Sequence, residues 1–343
     1  MCYTIDIYFD KMKPSNDFFE FSLYVTFFPQ LVAGPIVRAK DFIPQLKKDR
    51  LFNNINFQLA ANHFVLGLVK KVLIADNIAQ ISDPLFANPE HYGTLASWIG
   101  VAAYSIQIYC DFSGYSDMAI GVAALLGFQL MENFNMPYIS TNITEFWRKW
   151  HISLSTWLRD YLFIPLGGSR VSKKLFYYRN LMITMLLGGL WHGASWNFVV
   201  WGGLHGFALI IHKLYKIKYS DNFNLSKLGS SIYTVLSWLA TTTFVMVTWV
   251  FFRAQTFADA SQVLQNMFLI KKSVNYSIPI TFILLLGITI IGHFLGSKYY
   301  VNVEKQQHLF SNTYLQGALF GLAIFLVVLF GSDNNQAFIY FQF

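Results

Sequence analysis

Between Arg179 and Lys213 the chain runs for 33 residues without an Asp, Glu, Lys or Arg. A bilayer core takes a helix of ~20 predominantly apolar residues, so a run of this length and composition reads as membrane. Only His192, His205 and His212 can ionise within it. An imidazole, with a reference pKa of ~6.5, is costly to charge in hydrocarbon, and an ionisable group at membrane depth is a candidate functional residue. Gly188, Gly189 and Gly193 surround His192 and interrupt the helix there, as a site requires.

The same pattern recurs along the chain. Apolar stretches fall at roughly 18–33, 57–78, 95–109, 118–130, 146–164, 181–211, 232–252, 278–295 and 315–330, separated by polar or basic connectors. Only 13% of residues are charged, against ~25% in soluble domains. The expected fold is therefore all-α: a polytopic membrane helical bundle of eight or nine segments, some of them re-entrant or interfacial. Residues 1–343 form one membrane-embedded domain. The net charge of +7 is concentrated in connectors. Lys/Arg-rich cytoplasmic loops account for it, so no nucleic-acid partner is expected. Cys2 and Cys110 have neither disulfide nor zinc-site spacing, Cys110 reads as a packed thiol, and no metal is expected. Residues 1–11 read as a short extended piece with neither a basic leader nor a cleavage site.

Two basic clusters bracket the long run: Arg170, Lys173, Lys174 and Arg179 before it, and Lys213, Lys216 and Lys218 after it. If both are cytoplasmic, the segment enters and returns on one side. About 33 residues are too few for two full spans, so two shortened halves are expected, with His192 near the tip of a hairpin. Gly202/Gly206, Gly292/Gly296 and Gly317/Gly321 have the spacing of closely packed membrane helices.

A second polar island lies at 142–170. Asn142 with Glu145 reads as a capping box, and Gly167–Gly168 as the end of the helix it starts. Along that helix Trp147, Trp150, Leu154, Trp157 and Tyr161 form an aromatic face. Arg148, His151, Ser155 and Arg159 form a polar stripe. A helix lying at headgroup level would look like this, but a histidine between two arginines also suits an anionic, phosphate-bearing ligand. A third island holds Asp111, Ser113 and Asp117. Asp111 is expected to orient a histidine, to pair with Arg148 or Arg159, or to sit in a buried structural ion pair. His205 and His212 read as packing or interface residues, His63 and His91 have no supporting context, and His293 has no partner in its own segment.

No G-x-S-x-G elbow, Walker A loop, dinucleotide glycine loop or H-E-x-x-H pair occurs. What remains is one or two histidines acting as base without a dedicated nucleophile.

Five segments carry a resemblance: FFPQLVAGPIVRAKDFIPQL (27–46), IYCDFSGYSDMAIG (108–121), FWRKWHISLSTWLRDYLFIPLGGSR (146–170), GGLWHGASWNFVVWGGLHG (188–206) and FIYFQF (338–343). With them the chain resembles the membrane-bound O-acyltransferase family, in the branch of alginate O-acetylation, teichoic-acid D-alanylation and peptidoglycan O-acetylation proteins. The resemblance implies a helical bundle around a tunnel, reached by donor from the cytoplasm and by acceptor from outside. It makes His192 of the W-H-G motif the central catalytic residue and His151 of W-H-x-S-L-S the second. Members of this family carry further spanning helices ahead of the point that TIDIYFD matches, so the chain is expected to lack the family's N-terminal helices.

The expected activity is that of an inner-membrane O-acetyltransferase acting on an exported, alginate-like polysaccharide. Its donor is a cytosolic thioester, acetyl-CoA or an acyl carrier, with no bound cofactor, and a periplasmic partner protein completes the transfer. His192 takes the hydroxyl proton, and His151 polarises the thioester carbonyl or positions the acceptor. Arg148 and Arg159 hold donor phosphates, and Ser155, Asp111 and Trp191 line the substrate path. The rivals are a transporter with a histidine proton relay, which would call for internal repeats that are not visible, and an inactive scaffold.

Overall fold

The computed structural model describes residues 2–219, 227–271, 276–299, 313–331 and 338–339, and among these every regular element is helical. In chain order the helices are α1 (Cys2–Tyr8), α2 (Phe18–Thr26), α3 (Ala39–Leu46) and α4 (Phe57–Leu68), then a π-helical turn, Val69–Ala75, leading into α5 (Asp76–Ala87). Next come α6 (Thr94–Leu125), α7 (Ile143–Lys149) and α8 (Ile152–Leu158), the last continuing as π-helix over Arg159–Phe163. The remainder are α9 (Lys174–Trp191), α10 (Trp196–Tyr219), α11 (Lys227–Arg253), α12 (Phe257–Phe268), α13 (Ile280–Tyr299) and α14 (Thr313–Phe330).

The central element is α6. It is 32 residues long, and most of its residues from Ala96 to Ala123 are buried, on every side of the helix, as expected of a helix that is apolar all round. Stretch 95–109 and residues 118–125 of the stretch 118–130 are thus one helix, and the polar island lies in its middle. It continues through the island because its acids find partners: Lys71 Nζ is 2.7 Å from Asp111 and Lys70 Nζ is 2.6 Å from Asp117. Both lysines come from the π-helical turn. The backbones meet closely beside them, where a Cβ on Gly67 would lie 2.5 Å from the Gly114 carbonyl oxygen.

Three helical stretches, Trp196–Lys218, Leu228–Arg253 and Ile280–Lys298, are long and apolar enough to cross a membrane, and Tyr314–Phe330 is a shorter apolar helix. Among the described residues this is fewer than the eight or nine expected. Several apolar runs instead form short helices packed around the bundle, such as α2 and α8. The opening residues are helical rather than extended. Tertiary contacts decide this: buried Asp6 accepts a 2.7 Å bond from the Tyr161 hydroxyl, and Trp157 Nε1 donates to Cys2 Sγ.

Helices α9 and α10 form an antiparallel hairpin whose tip is His192–Ser195. Gly189 packs on Gly202, Met182 on Gly206, and the Lys213 ammonium sits 5.7 Å from the Tyr177 ring centre. The two basic ends therefore lie together. The two expected short halves are helices of 18 and 24 residues, the second long enough for a full span. Cysteines placed at Lys174 and Lys216 in a background without Cys2 and Cys110 are expected to label from the same membrane face; labelling from opposite faces would overturn the shared orientation. Close packing holds at Gly202 and Gly206. At Gly292, Gly317 and Gly321 no atom of the described residues lies within 4 Å of an added Cβ, and Gly296 packs on the Met136 side chain rather than on a helix.

Candidate active site

The segment 146–164 is broken rather than continuous. Asn142 starts α7 as expected, its side chain accepting from Glu145 N at 2.9 Å. Glu145 reaches back to the Thr141 backbone N–H at 3.0 Å, one residue before the cap. The break comes at His151, whose φ of +42° puts it in the left-handed region, a conformation costing roughly 1–2 kcal/mol for a residue with a Cβ. Asn133 supports it. Its backbone carbonyl accepts from Ile152 N at 2.8 Å and its side-chain Oδ1 from Ser153 N at 3.1 Å. These are orphan donors of the first turn of α8, so a residue 18 positions upstream caps the helix. The Gly167–Gly168 stop holds, with φ of +107° and +56°. Because α7 and α8 are separate, Arg148, His151, Ser155 and Arg159 do not form one stripe.

His192 closes α9, its N–H bonded to the Gly189 carbonyl at 3.0 Å. Its ring packs among Phe252, Trp201 and Phe198, with ring centres 4.9, 5.4 and 6.1 Å away. The following Gly193 has φ +158°, and a Cβ there would press to 2.7 Å from the Phe198 ring. His151 and His192 line one small cavity, completed by Trp147, Trp150, Trp201, Trp249 and Phe252 among others. Its volume, about 10 Å³, is near what one water requires. The walls are mostly aromatic, with Ile108 and Leu154 completing them.

The other candidates stand elsewhere. Asp111 pairs with Lys71 and accepts from Ile339 N at 2.7 Å; neither Arg148 nor Arg159 is its partner. The buried ion pair is therefore what Asp111 forms, since Lys71 reaches it from the π-helical turn. Arg159 is bound to Asp160 at 2.6 Å, as is Arg38. Partial burial would raise the Asp160 carboxyl, but the two arginines outweigh it and hold it below the usual carboxylate range. Ser155 donates to the Trp150 carbonyl, and Trp191 is half-exposed beside Trp157. Arg148 lines a second, larger cavity of about 560 Å³ with Tyr177, His212, Lys213 and Lys216.

The two cavities are linked by one stripe of α10. Trp201 faces the histidine cavity, His205 follows one turn on, and Leu209 and His212 face the basic cavity. Trp201 to His212 is 11 residues, or ~16 Å of helix. His205 is fully buried and satisfied: Trp147 Nε1 donates to its Nδ1 at 3.3 Å, and its Nε2 is 3.0 Å from Thr248 Oγ1, which donates onward to Val245 O. Packing is thus what His205 does. His63, for which the sequence offered no context, lies 3.8 Å from Asp117 and 3.7 Å from Glu132. Of the closing segment 338–343, Phe338 and Ile339 are described and pack in the main core; the rest lies outside the described residues. Sequence reasoning missed Asn133, whose contacts with 151–153 carry no periodic signal.

The family model for MBOAT, the membrane-bound O-acyltransferase family, matches residues 12–252. A "probable alginate O-acetylase" of Pseudomonas aeruginosa is 45% identical over 268 residues, covering 78% of this chain and 49% of that protein. A peptidoglycan O-acetyltransferase of Helicobacter pylori is 44% identical over 254 residues, 74% of this chain and 47% of its own length. A teichoic acid D-alanyltransferase of Streptococcus thermophilus is 34% identical over 209 residues, covering 56% of this chain and 49% of its own. The chain thus spans about half the length of these relatives. The family model takes in both histidine motifs and the cavity they share: this chain belongs to the membrane-bound O-acyltransferase family.

Proposed function

We propose that the chain carries the reaction centre of an inner-membrane O-acetyltransferase that modifies an exported polysaccharide. The observation that carries this reading is the pair His151 and His192 on one enclosed cavity, ~16 Å along α10 from a basic one. A donor with an anionic head and a thioester at the end of a flexible arm has matching chemistry, and acetyl-CoA or an acyl carrier's prosthetic arm fits that description. Arg148, Lys213 and Lys216 are the groups for its phosphates. Arg159, held by Asp160, is not needed for this. Trp147 and His205 stand between the cavities and would have to shift for the arm to enter.

In the reaction, His192 removes the proton from the acceptor hydroxyl as its oxygen bonds to the thioester carbonyl carbon. Collapse of the tetrahedral adduct breaks the carbon–sulfur bond, and the thiolate takes the proton back from the imidazolium. His151 lines the same cavity and positions the acceptor by accepting a hydrogen bond from a second hydroxyl on it. The relatives' names support a hydroxyl of alginate or peptidoglycan as the final acceptor; an extracytoplasmic partner protein completing the transfer is part of this proposal.

The test is glycan acetyl content in a deletion strain complemented with this chain, with its His192→Ala variant, or with a version extended at the N-terminus. Restoration by either active version and loss in the variant supports the reading; no acetyl change in any arm would sink it. Arg148→Glu with Lys213→Glu is expected to raise the KM for the donor about tenfold with little change in kcat, since the pair acts on the head and not on the reacting carbon. An unchanged KM would remove the basic cavity from the donor path.

A further inference from the structure

The tautomer of His151 is set by a residue that no motif includes. Asn133 and Ser153 are each 1% exposed, and His151 only 6%. Asn133 Oδ1 lies 3.1 Å from His151 Nδ1, 3.1 Å from the Ser153 backbone N and 2.8 Å from Ser153 Oγ. A backbone N–H can only donate, so the atom it meets must be the amide oxygen and not the amide nitrogen. That orients the Asn133 side chain, and its Nδ2 then donates to Ser116 Oγ on α6 at 3.1 Å. A ring nitrogen facing a carbonyl oxygen must itself be the donor, so Nδ1 carries the proton. Ser153 Oγ is 3.4 Å from Nδ1 but closer to Oδ1, to which it donates.

We propose that Asn133 is a positioning residue that holds His151 as the Nδ1–H tautomer, leaving an unprotonated Nε2 for the cavity shared with His192. Without it, the two tautomers of a neutral imidazole lie close in energy, and in one of them an N–H occupies the place where a lone pair is wanted. The effect on rate rests on the acyltransfer reading above; the tautomer assignment does not. Asn133 is not among the residues lining the cavity, so it acts on transfer through the start of α8 that it caps and the His151 ring that it holds.

The experiment is nitrogen-15 NMR of histidine-labelled full chain in detergent micelles, with His151 assigned by its loss in His151→Gln, alongside acyl transfer. Wild type should give an Nδ1–H, Nε2-unprotonated pattern at His151. Asn133→Asp keeps an acceptor for both Ser153 N–H and Nδ1–H, since the Ser116 hydroxyl can reverse and donate, and should keep the pattern with transfer within a few-fold of wild type. Asn133→Leu removes the acceptor and should mix the tautomers, with transfer falling about ten- to a hundredfold, the usual loss when a residue orienting a functional histidine is removed. An Nε2–H signal in wild type, or an unchanged tautomer in a folded Asn133→Leu protein, would overturn the proposal. The expected tautomers with transfer unchanged in every variant would leave the positioning intact and remove His151 from the chemistry.

Discussion

Replacing His192 with alanine is expected to lower acyl transfer by about a thousandfold, the middle of the range for losing a general base. The ring lies between Phe252, Trp201 and Phe198, and with His151 it supplies the histidines lining the cavity. Removing it leaves His151 as the proton-accepting side chain among the lining residues, the others being tryptophans, Phe252 and aliphatic groups that accept none near neutral pH. The fold should survive, because the α9–α10 hairpin is held at Gly189, Gly202 and Gly206 rather than by the imidazole. Single-turnover transfer from acetyl-CoA to a soluble acceptor, with a matched amount of folded protein, is the measurement. Transfer within a few-fold of wild type would move the base elsewhere, with His151 next to be tested.

Gly202→Leu should unfold the hairpin, while Gly317→Leu should be nearly silent. The two glycines share the same spacing motif and both sit within helices. At Gly202 a new Cβ would run into the Met185 carbonyl oxygen, with the Gly189 Cα at 3.3 Å. Backbone on the opposing helix cannot rotate away as a side chain would, so α9 and α10 must separate. That loss should exceed about 3 kcal/mol, beyond ordinary overpacking, and it would carry His192 out of the cavity. At Gly317 no atom lies within 4 Å of an added Cβ among the described residues, and the change should stay within about 0.5 kcal/mol. Thermal unfolding in detergent, followed by the folded peak in size exclusion, separates the cases. Equal stability of the two variants would mean that the hairpin is not held by this crossing.

Much of the site was legible before any fold. His192 stands in a run where hydrocarbon makes an ionisable group costly, and His151 stands among tryptophans and arginines; both motifs are local. Their meeting was not local. It depends on the turn at His192–Ser195 and on the helix break at His151, which Asn133 imposes from 18 positions away. The polar stripe from Arg148 to Arg159 failed for the same reason. Helical spacing assumes an unbroken helix, and here a side chain outside the segment takes the backbone donors that would have continued it. Asp111 shows the complementary limit. Its cost in an apolar run announced a partner, but Lys71 reaches it only because the π-helical turn packs against α6.

By itself, the sequence determined the class of solvent, the helical architecture and the two histidines, because apolar run length, charge deficit and short motifs are carried by neighbouring residues. Tertiary structure alone decided which glycines are crossings, which charge meets which, and which way the His151 ring is turned. Those outcomes depend on atoms brought together from distant parts of the chain, where close packing and hydrogen-bond direction, not local propensity, select the arrangement.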